Sequence, residues 1–212
     1  MDTPATPRLS SRKQPQQQRS AQAVTAILQA AAQVLTTHGA ARFTTARVAE
    51  RAGISIGSLY QYFPNKAAIL FRLQSDEWRE TRGMLNAMLA DTAVPPPERL
   101  RAVVRAFIAS EAEEAQMRQA LEDAAPLYRD EPEAQAAQGE GSGALLGLLR
   151  EAAPGVSDDA LRVAADTMLA AFKALGKPLS LRDEGERLVR TEALADMLCA
   201  YLAWLGADGT AT

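Results

Sequence analysis

The most informative segment of the sequence runs from Phe43 to Lys66 and reads "FTTARVAERAGISIGSLYQYFPNK". Its first half, "TTARVAERAG", begins with threonine and ends at Gly53, as short helices often do. Its second half, "SIGSLYQYF", begins with Ser55 as a plausible N-cap, and Pro64 prevents the helix from continuing. Two short helices joined by a glycine-containing turn form a helix-turn-helix, whose second helix enters the major groove of DNA.

The side chains of this stretch have the chemistry that DNA binding needs. Gly57 has no side chain to hold the backbone away from DNA, and Leu59 and Phe63 are expected to anchor the second helix by packing inward. Lys66 falls in the first turn of the next helix, where a cation is unfavourable unless a phosphate lies nearby. Hydroxyl and amide groups that can meet phosphates or base edges are offered by Thr44, Thr45, Ser58, Tyr60, Gln61 and Tyr62.

The rest of the chain also has helical periodicity, and no segment predicts a strand. Asn65, Ser157 and a proline of "AVPPPERL" are expected at helix starts. Beyond the long helix that follows Asn65, helices are predicted at about 98–113, 115–123, 126–137, 158–176 and 186–206, with "GKPLSLRDEG" ending the fourth of these. The fold class is therefore all-α, with an N-terminal three-helix domain followed by a larger helical domain.

Charge is distributed unevenly along the 212 residues. Residues 1–72 hold nine basic and two acidic side chains, whereas the remainder holds 14 basic and 24 acidic ones. A cationic N-terminal part suggests a polyanionic partner there. The predicted organisation is a disordered basic arm over 1–20, a helix-turn-helix domain over 21–65, a ligand-binding and dimerisation domain over 66–206, and a tail over 207–212.

Several other classes of protein are disfavoured. The single cysteine, Cys199, cannot form an internal disulfide, which favours a cytoplasmic location. No apolar run is long enough for a membrane span or resembles a signal peptide, so we expect no membrane association. His38 is the only histidine and no catalytic or phosphate-binding motif occurs, so we expect no enzyme activity, cofactor or metal.

The segment from Ala21 to Leu73 resembles the DNA-binding domain of the TetR (tetracycline-repressor-like) family of transcriptional regulators. The shared elements are Phe43-Thr44-Thr45, Ala52-Gly53-Ile54-Ser55, Gly57-Ser58-Leu59-Tyr60-Gln61-Tyr62-Phe63 and Lys66. The resemblance implies phosphate contacts from Thr45, Tyr60 and Lys66. It implies base or mixed contacts from Arg47, Ser55, Gly57, Ser58, Gln61 and Tyr62.

Two side chains of this segment keep alternative interpretations. Arg47 either contacts DNA, forms a surface ion pair with Glu50, or remains solvated. Ile56 stands where members of the family often carry a cation, and an isoleucine there either contacts a thymine methyl group or shields the start of the helix.

Two apolar stripes near the C-terminus are candidates for a dimer interface, and the resemblance favours that interpretation over an ordinary core. One recognition helix contacts too few base pairs for a specific site, so a two-fold dimer is expected, with a four-helix bundle between its subunits. The predicted interface residues are Leu161, Ala165, Met168, Leu169, Leu194, Leu198, Leu202 and Leu205, and the wider stripes add Ala164, Phe172, Leu188, Thr191 and Ala195.

The family resemblance also implies a cavity for a small apolar or aromatic effector among the middle helices. Adaptable or aromatic side chains in that region are Met84, Met88, Phe107, Met117, Leu121, Tyr128 and Phe172. The sequence thus predicts a ligand-responsive regulator, by preference a repressor, that binds a palindromic DNA operator as a homodimer. The helix beginning at Lys66 is the expected link between effector and DNA. The alternative is a helical protein-interaction module without sequence-specific DNA binding.

Overall fold

The computed structural model describes residues 18–134 and 143–208, which are helical with no strand, as the fold-class prediction requires. Two 3-10 helices occupy Ala40–Arg42 and Ala125–Leu127. The α-helices that lie wholly within these ranges are α1 (Gln18–His38), α2 (Thr45–Arg51), α3 (Ile56–Tyr62), α4 (Lys66–Ala90), α5 (Pro96–Glu113), α6 (Ala115–Ala124), α7 (Gly143–Ala152), α8 (Asp158–Ser180) and α9 (Glu184–Asp208).

The first of two compact units is built around the helix-turn-helix. It contains the described residues of Met1–Trp78 and Gln116–Glu140. Ile27 of α1, Phe43, Leu59 of α3 and Phe63 are all 0–1% exposed and belong to one hydrophobic cluster. Full burial of such side chains stabilises the unit by roughly 2 kcal/mol each. The predicted inward anchors of α3 are confirmed.

The turn between α2 and α3 depends on Gly53. Its φ of +68° lies in the left-handed region that glycine occupies without steric cost. The amide of Gly53 donates to the carbonyl of Glu50, and the amide of Ile54 donates to that of Ala49. This is the Schellman arrangement, which satisfies carbonyls at the end of a helix.

The second unit contains the described residues of Arg79–Ala115 and Gly141–Thr212. Its buried cluster includes Leu100 and Val104 of α5, Leu148 of α7, Met168 of α8 and Leu198 of α9. Pro96 occupies the first residue of α5, and the Ser157 hydroxyl accepts a hydrogen bond from the Ala160 amide. Both predicted helix starts are confirmed.

Two predicted helix boundaries were wrong. The helix expected to end at residue 176 continues through Pro178 to Ser180, because a proline in the last turn removes only one backbone donor and Leu179 is buried. The helix expected to begin at residue 126 does not do so: Pro126 lies in the 3-10 helix, turns follow at 128–130, and the chain is α-helical again only at 132–134. Residues 135–137 lie outside the described ranges.

The contacts also divide the chain differently from the predicted boundaries. Segment 116–134 belongs to the unit with the helix-turn-helix rather than to the domain expected over 66–206. The reason is that Leu121 of α6 and Tyr128 are buried in the same cluster as Leu59. Helix α1 begins at Gln18, inside the expected arm. The rest of that arm and residues 209–212 lie outside the described ranges.

Candidate nucleic-acid interface

Helices α2 and α3 present one buried and one exposed side. Val48 and Ala49 of α2 and Leu59 of α3 are buried. The residues predicted to contact DNA lie on the other side: Thr44, Arg47, Ser55, Gly57, Tyr60, Gln61 and Lys66 are exposed, and Thr45, Ser58 and Tyr62 are partly buried. The fold therefore leaves the predicted set accessible on one unit.

A hydrogen bond joins the two helices on the exposed side. The hydroxyls of Thr45, the first residue of α2, and Tyr60 of α3 lie 3.0 Å apart, and either can donate. Both residues are among the three predicted phosphate contacts. The pair also fixes the position of the Tyr60 ring, which is 38% exposed.

Two other predicted contacts serve as helix caps. The Thr44 hydroxyl accepts from the Arg47 amide at 3.3 Å at the start of α2. The Ser55 hydroxyl accepts from the Ser58 amide at 3.0 Å at the start of α3, and the two serine hydroxyls lie 2.8 Å apart. These bonds satisfy backbone donors that a helix start leaves unpaired, so these side chains hold α2 and α3 in place.

The cations beside α3 are held in defined positions. The guanidinium of Arg47 donates to the backbone carbonyl of Arg42 at 2.7 Å, so its position is set by the backbone rather than by an ion pair with Glu50. Arg51 donates to the amide oxygen of Gln33 at 2.6 Å. Arg42 and Gln33 were missed as positioning residues. Each lies in a different element from the arginine that it holds, and the sequence does not show which elements meet.

The start of α4 places Lys66 next to the recognition helix. Asn65 caps α4 by accepting a hydrogen bond from the Ala68 amide at 2.8 Å, as predicted. Lys66 is therefore the first residue of the helix, and it is exposed. An ammonium there is repelled by the positive end of the helix dipole, which a phosphate would offset.

Gly57, Gln61 and Tyr62 differ in their surroundings. A Cβ on Gly57 would meet only the Ser55 hydroxyl, at 3.8 Å, so the backbone surface there is open. Gln61 is exposed, with its amide accessible. Tyr62 packs partly against the hydrophobic cluster of the unit. The open backbone and the accessible amide together provide a surface suited to the edges of bases.

The family of the chain follows from two matches to family models. Residues 27–73 match the model of bacterial regulatory proteins of the tetR family. Residues 95–205, about half of the chain, match the model of the tetracyclin repressor-like C-terminal domain. The chain belongs to the tetR family. It is therefore a DNA-binding transcriptional regulator and not an enzyme, and the family resemblance of the sequence is confirmed.

Individual proteins are also similar to this chain in sequence or in fold. The nucleoid occlusion factor SlmA of Vibrio campbellii is 38% identical over 84 residues, which are 39% of this chain and only 42% of that protein. The structure of SmeT, repressor of the Stenotrophomonas maltophilia multidrug efflux pump SmeDEF, is similar with a TM-score of 0.63 at 26% identity. The aligned region covers 84% of this chain and 89% of the SmeT chain. Thermus thermophilus FadR, a repressor solved in complex with lauroyl-CoA, has a TM-score of 0.59 at 22% identity, covering 82% and 94%.

The residues predicted for the dimer interface lie inside the second unit. Seven of them are only 1–7% exposed and belong to the buried cluster of their own chain: Leu161, Ala165, Met168, Leu194, Leu198, Leu202 and Leu205. The eighth, Leu169, is partly buried and packs against that cluster. Of the wider stripes, Ala164, Phe172, Thr191 and Ala195 are buried and Leu188 is 59% exposed. Side chains already covered by their own subunit cannot supply the main surface for a second one, so this assignment is corrected.

The other sides of α8 and α9 carry exposed apolar residues. On α8 this side carries Val163, which is 66% exposed, with Ala170 and Ala174. On α9 the exposed residues are Val189 (71%), Ala193, Met197 (52%), Ala200 and Trp204 (55%). We refer to these eight residues as the outer face. An exposed helix side normally carries polar and charged residues. The alanines and large apolar residues found there instead are the sequence signal that could have identified the outer face.

The seven candidate effector residues are divided between the two units. Met88 and Phe107 pack against the cluster that contains Phe172, and the rings of Phe107 and Phe172 meet edge-on at 5.5 Å. Met84 is 41% exposed. In the first unit, Leu121 and Tyr128 are buried and Met117 is partly buried.

Tyr128 is the only one of the seven candidate effector residues with a hydroxyl, and that hydroxyl is hydrogen-bonded inside the first unit. It donates toward the Leu121 carbonyl at 3.3 Å, and burial raises its pKa. The phenol is therefore neutral over the physiological range, and it contributes a hydrogen bond to the core rather than a charge.

Other chemistry finds little support among the described residues. No group of three His, Cys, Asp or Glu side chains there is placed to hold a metal ion. The Cys199 thiol donates to the Pro97 carbonyl at 3.5 Å, and burial raises its pKa, so it is a poor nucleophile. No helix in the described ranges has the length and apolarity to cross a bilayer.

Proposed function

We propose that the protein is a repressor that binds a two-fold symmetric DNA operator as a homodimer and leaves it when a small molecule binds. The observation that carries the proposal is the exposed side of α3, where Gly57, Tyr60 and Gln61 lie beside Lys66. SmeT and Thermus thermophilus FadR, which share the fold, are both repressors. A cytoplasmic location is part of the proposal.

The contacts to DNA follow from the chemistry of that side. Thr45, Tyr60 and Lys66 would contact phosphates, which position the protein on the duplex. Arg47 and Gln61 would contact base edges, with Gly57 allowing close approach. Ser55 and Ser58 would act mainly as the cap of α3, and Tyr62 would contribute to both the core and the DNA surface.

The dimer would form through the outer face rather than through the buried residues first expected. Val163 on α8 and Met197 and Trp204 on α9 expose apolar surface, and the alanines between them allow close helix approach. Two such helices from each subunit would pack as a four-helix bundle. Two-fold symmetry would then place two copies of α3 on half-sites about 34 Å apart, or a multiple of that distance.

The effector would be a small molecule with a substantial apolar part. The support is the adaptable or aromatic character of Met88, Phe107 and Phe172, together with the lauroyl-CoA bound by Thermus thermophilus FadR. Release from DNA requires only that the molecule prefer a conformation that binds the operator poorly. Helix α4 would transmit the change, since its residues belong to both units.

The test begins with DNA fragments selected from random sequence by the purified full-length protein. We expect enrichment of a palindrome and an affinity that falls steeply with salt, because cations displace ions condensed on the phosphates. Absent or salt-independent binding would instead support the helical protein-interaction module. For the effector, lauroyl-CoA and a panel of apolar and aromatic compounds are titrated into the complex. Operator affinity that stays unchanged across a saturating panel would contradict release by such a ligand.

A further inference from the structure

Two large apolar side chains stand exposed in the described part of the helix-turn-helix unit, and both belong to α3. They are Ile56, which is 42% exposed, and Tyr60, which is 38% exposed. The Tyr60 hydroxyl is engaged by Thr45 and belongs to the proposed phosphate contacts. Ile56 is aliphatic and has no polar group to bring to a phosphate, so its exposure needs a separate explanation.

The core of the unit does not account for Ile56. Ile54, two residues earlier, packs against the buried cluster, and Leu59 and Phe63 fill the inner side of α3 at 0–1% exposure. An exposed isoleucine is not unusual in itself. It stands, however, at the first residue of a recognition helix. A polar side chain at that residue could contact DNA and would expose less apolar surface to water than isoleucine does.

The position of Ile56 is well defined. Ser55 caps α3 through its bond to the Ser58 amide, which fixes the turn that carries Ile56. A β-branched side chain has few χ1 rotamers, so its methyl groups are directed by the backbone. The next residue, Gly57, leaves open space that allows a base edge to approach.

The major groove offers one apolar group among its donors and acceptors, the C5-methyl of thymine. Arg47 and Lys66 are also exposed on the unit that carries Ile56, and these two cations match a polyanionic partner. We propose that Ile56 is a specificity-determining residue that packs on a thymine methyl in each operator half-site. This inference rests on the proposed function, because it names a base that the same site recognises.

The experiment replaces each thymine of the selected operator with deoxyuridine, one symmetric pair at a time. The substitution removes the methyl group and keeps every hydrogen-bonding atom. We expect one pair of positions at which the wild-type protein loses about four-fold in affinity per half-site. This is the effect of no longer burying one methyl group in the complex. Ile56→Ala should bind the thymine operator more weakly and show no difference between thymine and deoxyuridine there.

Matched variants keep the result interpretable. Ile56→Val retains a β-branched methyl surface and should preserve most of the difference between thymine and deoxyuridine. Gln61→Ala should weaken binding to both operators and leave that difference in place. Circular dichroism checks that each variant is folded. If deoxyuridine changes nothing at any position, or the difference persists in Ile56→Ala, the inference is overturned. If the wild-type protein binds no DNA at all, the proposed function fails instead.

Discussion

The phenol oxygen of Tyr60 lies 3.0 Å from Oγ1 of Thr45, which ties the middle of α3 to the first residue of α2. The two hydroxyls carry two protons, and their mutual bond uses one of them. One proton is left to donate, so we expect the pair to act as a single donor to a phosphate oxygen. Loss of either hydroxyl should therefore affect DNA binding in the same way.

Tyr60→Phe and Thr45→Val test this coupling. Each single variant should lose roughly five-fold in operator affinity, the worth of one hydrogen bond of about 1 kcal/mol. The double variant should lose little more than either single one, because the pair is already broken. Fluorescence anisotropy with labelled operator gives the affinities. Thr25→Val is the matched control, since the Thr25 hydroxyl bonds the Ala21 carbonyl on α1. Fully additive losses would show that the hydroxyls act separately.

Lys66→Ala should weaken operator binding strongly without affecting helicity or dimerisation. The exposed ammonium at the start of α4 is expected to neutralise one phosphate per half-site. The slope of log affinity against log salt should therefore become less steep by about one for each half-site. Arg129→Ala removes an exposed cation elsewhere in the described residues and should leave the slope unchanged. An unchanged slope in Lys66→Ala would remove Lys66 from the phosphate contacts.

The helix-turn-helix was predictable because its signals are local. Glycine at residue 53 supplies a positive φ, Ser55 and Asn65 supply caps, and Pro64 ends α3. Each of these acts within a few residues along the chain, so each is recognisable in the sequence. The all-α class follows in the same way from helical periodicity.

The partners of each helix were less predictable, because they depend on contacts between distant residues. An apolar stripe with a period of 3.6 residues shows that a side of a helix is buried, but not what covers it. The stripes through Met168 and Leu198 are covered by their own subunit, which leaves the outer face exposed. Similarly, nothing near Leu121 in the sequence shows that it is buried in the same cluster as residues of α1 and α3.

Met197 and Leu198 are neighbours on α9 that separate dimerisation from folding. Met197 is 52% exposed on the outer face, whereas Leu198 is 3% exposed in the core. Met197→Glu should give folded monomers, because it places a charge on the proposed interface. Leu198→Glu should lose helicity and thermal stability instead, because an unpaired charge in a core costs several kcal/mol.

Light scattering and circular dichroism distinguish these outcomes. Glu113 of α5 is exposed, and Glu113→Gln provides a control that should change neither dimerisation nor folding. A Met197→Glu protein that stays dimeric would move the interface away from the outer face. A folded, monomeric Leu198→Glu protein would restore the interface first expected from the sequence.

Glu192 of α9 links the stability of the second unit to pH. Its carboxylate accepts from Nε of Arg105 at 2.6 Å and from Nη1 of Arg101 at 3.1 Å, and the hydrogen bond from Arg105 is the main cause that lowers its pKa below the usual 4.5. A lowered pKa in the folded state means that the stabilisation is present above pH 4.5 and is lost as pH falls through the lowered value.

Glu192→Gln should therefore unfold at lower urea concentration than the wild type at pH 7, by a modest amount because the pair is solvent-exposed. The difference between the two proteins should shrink as the pH falls from 4.5 through the lowered pKa of Glu192, because the wild-type carboxylate then also becomes neutral. Asp130→Asn removes an exposed carboxylate 3.9 Å from Arg129 and is the matched control for the loss of one surface charge. A gap that does not shrink as the pH falls would mean that Glu192 contributes through its shape rather than its charge.

Gly176 of α8 marks a close contact between α8 and α5. A Cβ at residue 176 would lie 2.7 Å from Cε1 and 2.9 Å from Cζ of Phe107, whose ring is itself packed edge-on against Phe172. Within a helix, alanine is normally more favourable than glycine by about 1 kcal/mol. Overpacking of this kind costs about 1–3 kcal/mol, so Gly176→Ala should lower the free energy of unfolding by about 1 kcal/mol.

The sign of this effect should reverse when the Phe107 ring is removed. In a Phe107→Ala background, itself destabilised by the cavity, Gly176→Ala should raise the free energy of unfolding, because only the helix preference remains. Urea denaturation at one fixed protomer concentration measures all four proteins of the cycle, since stability depends on concentration when subunits associate. A Cβ on Gly147 of α7 would meet nothing within 4 Å, so Gly147→Ala is the matched control and should stabilise in both backgrounds. A stabilising Gly176→Ala in the wild-type background would show that the Phe107 ring moves aside at little cost, and that the contact between α5 and α8 is adaptable rather than tightly packed.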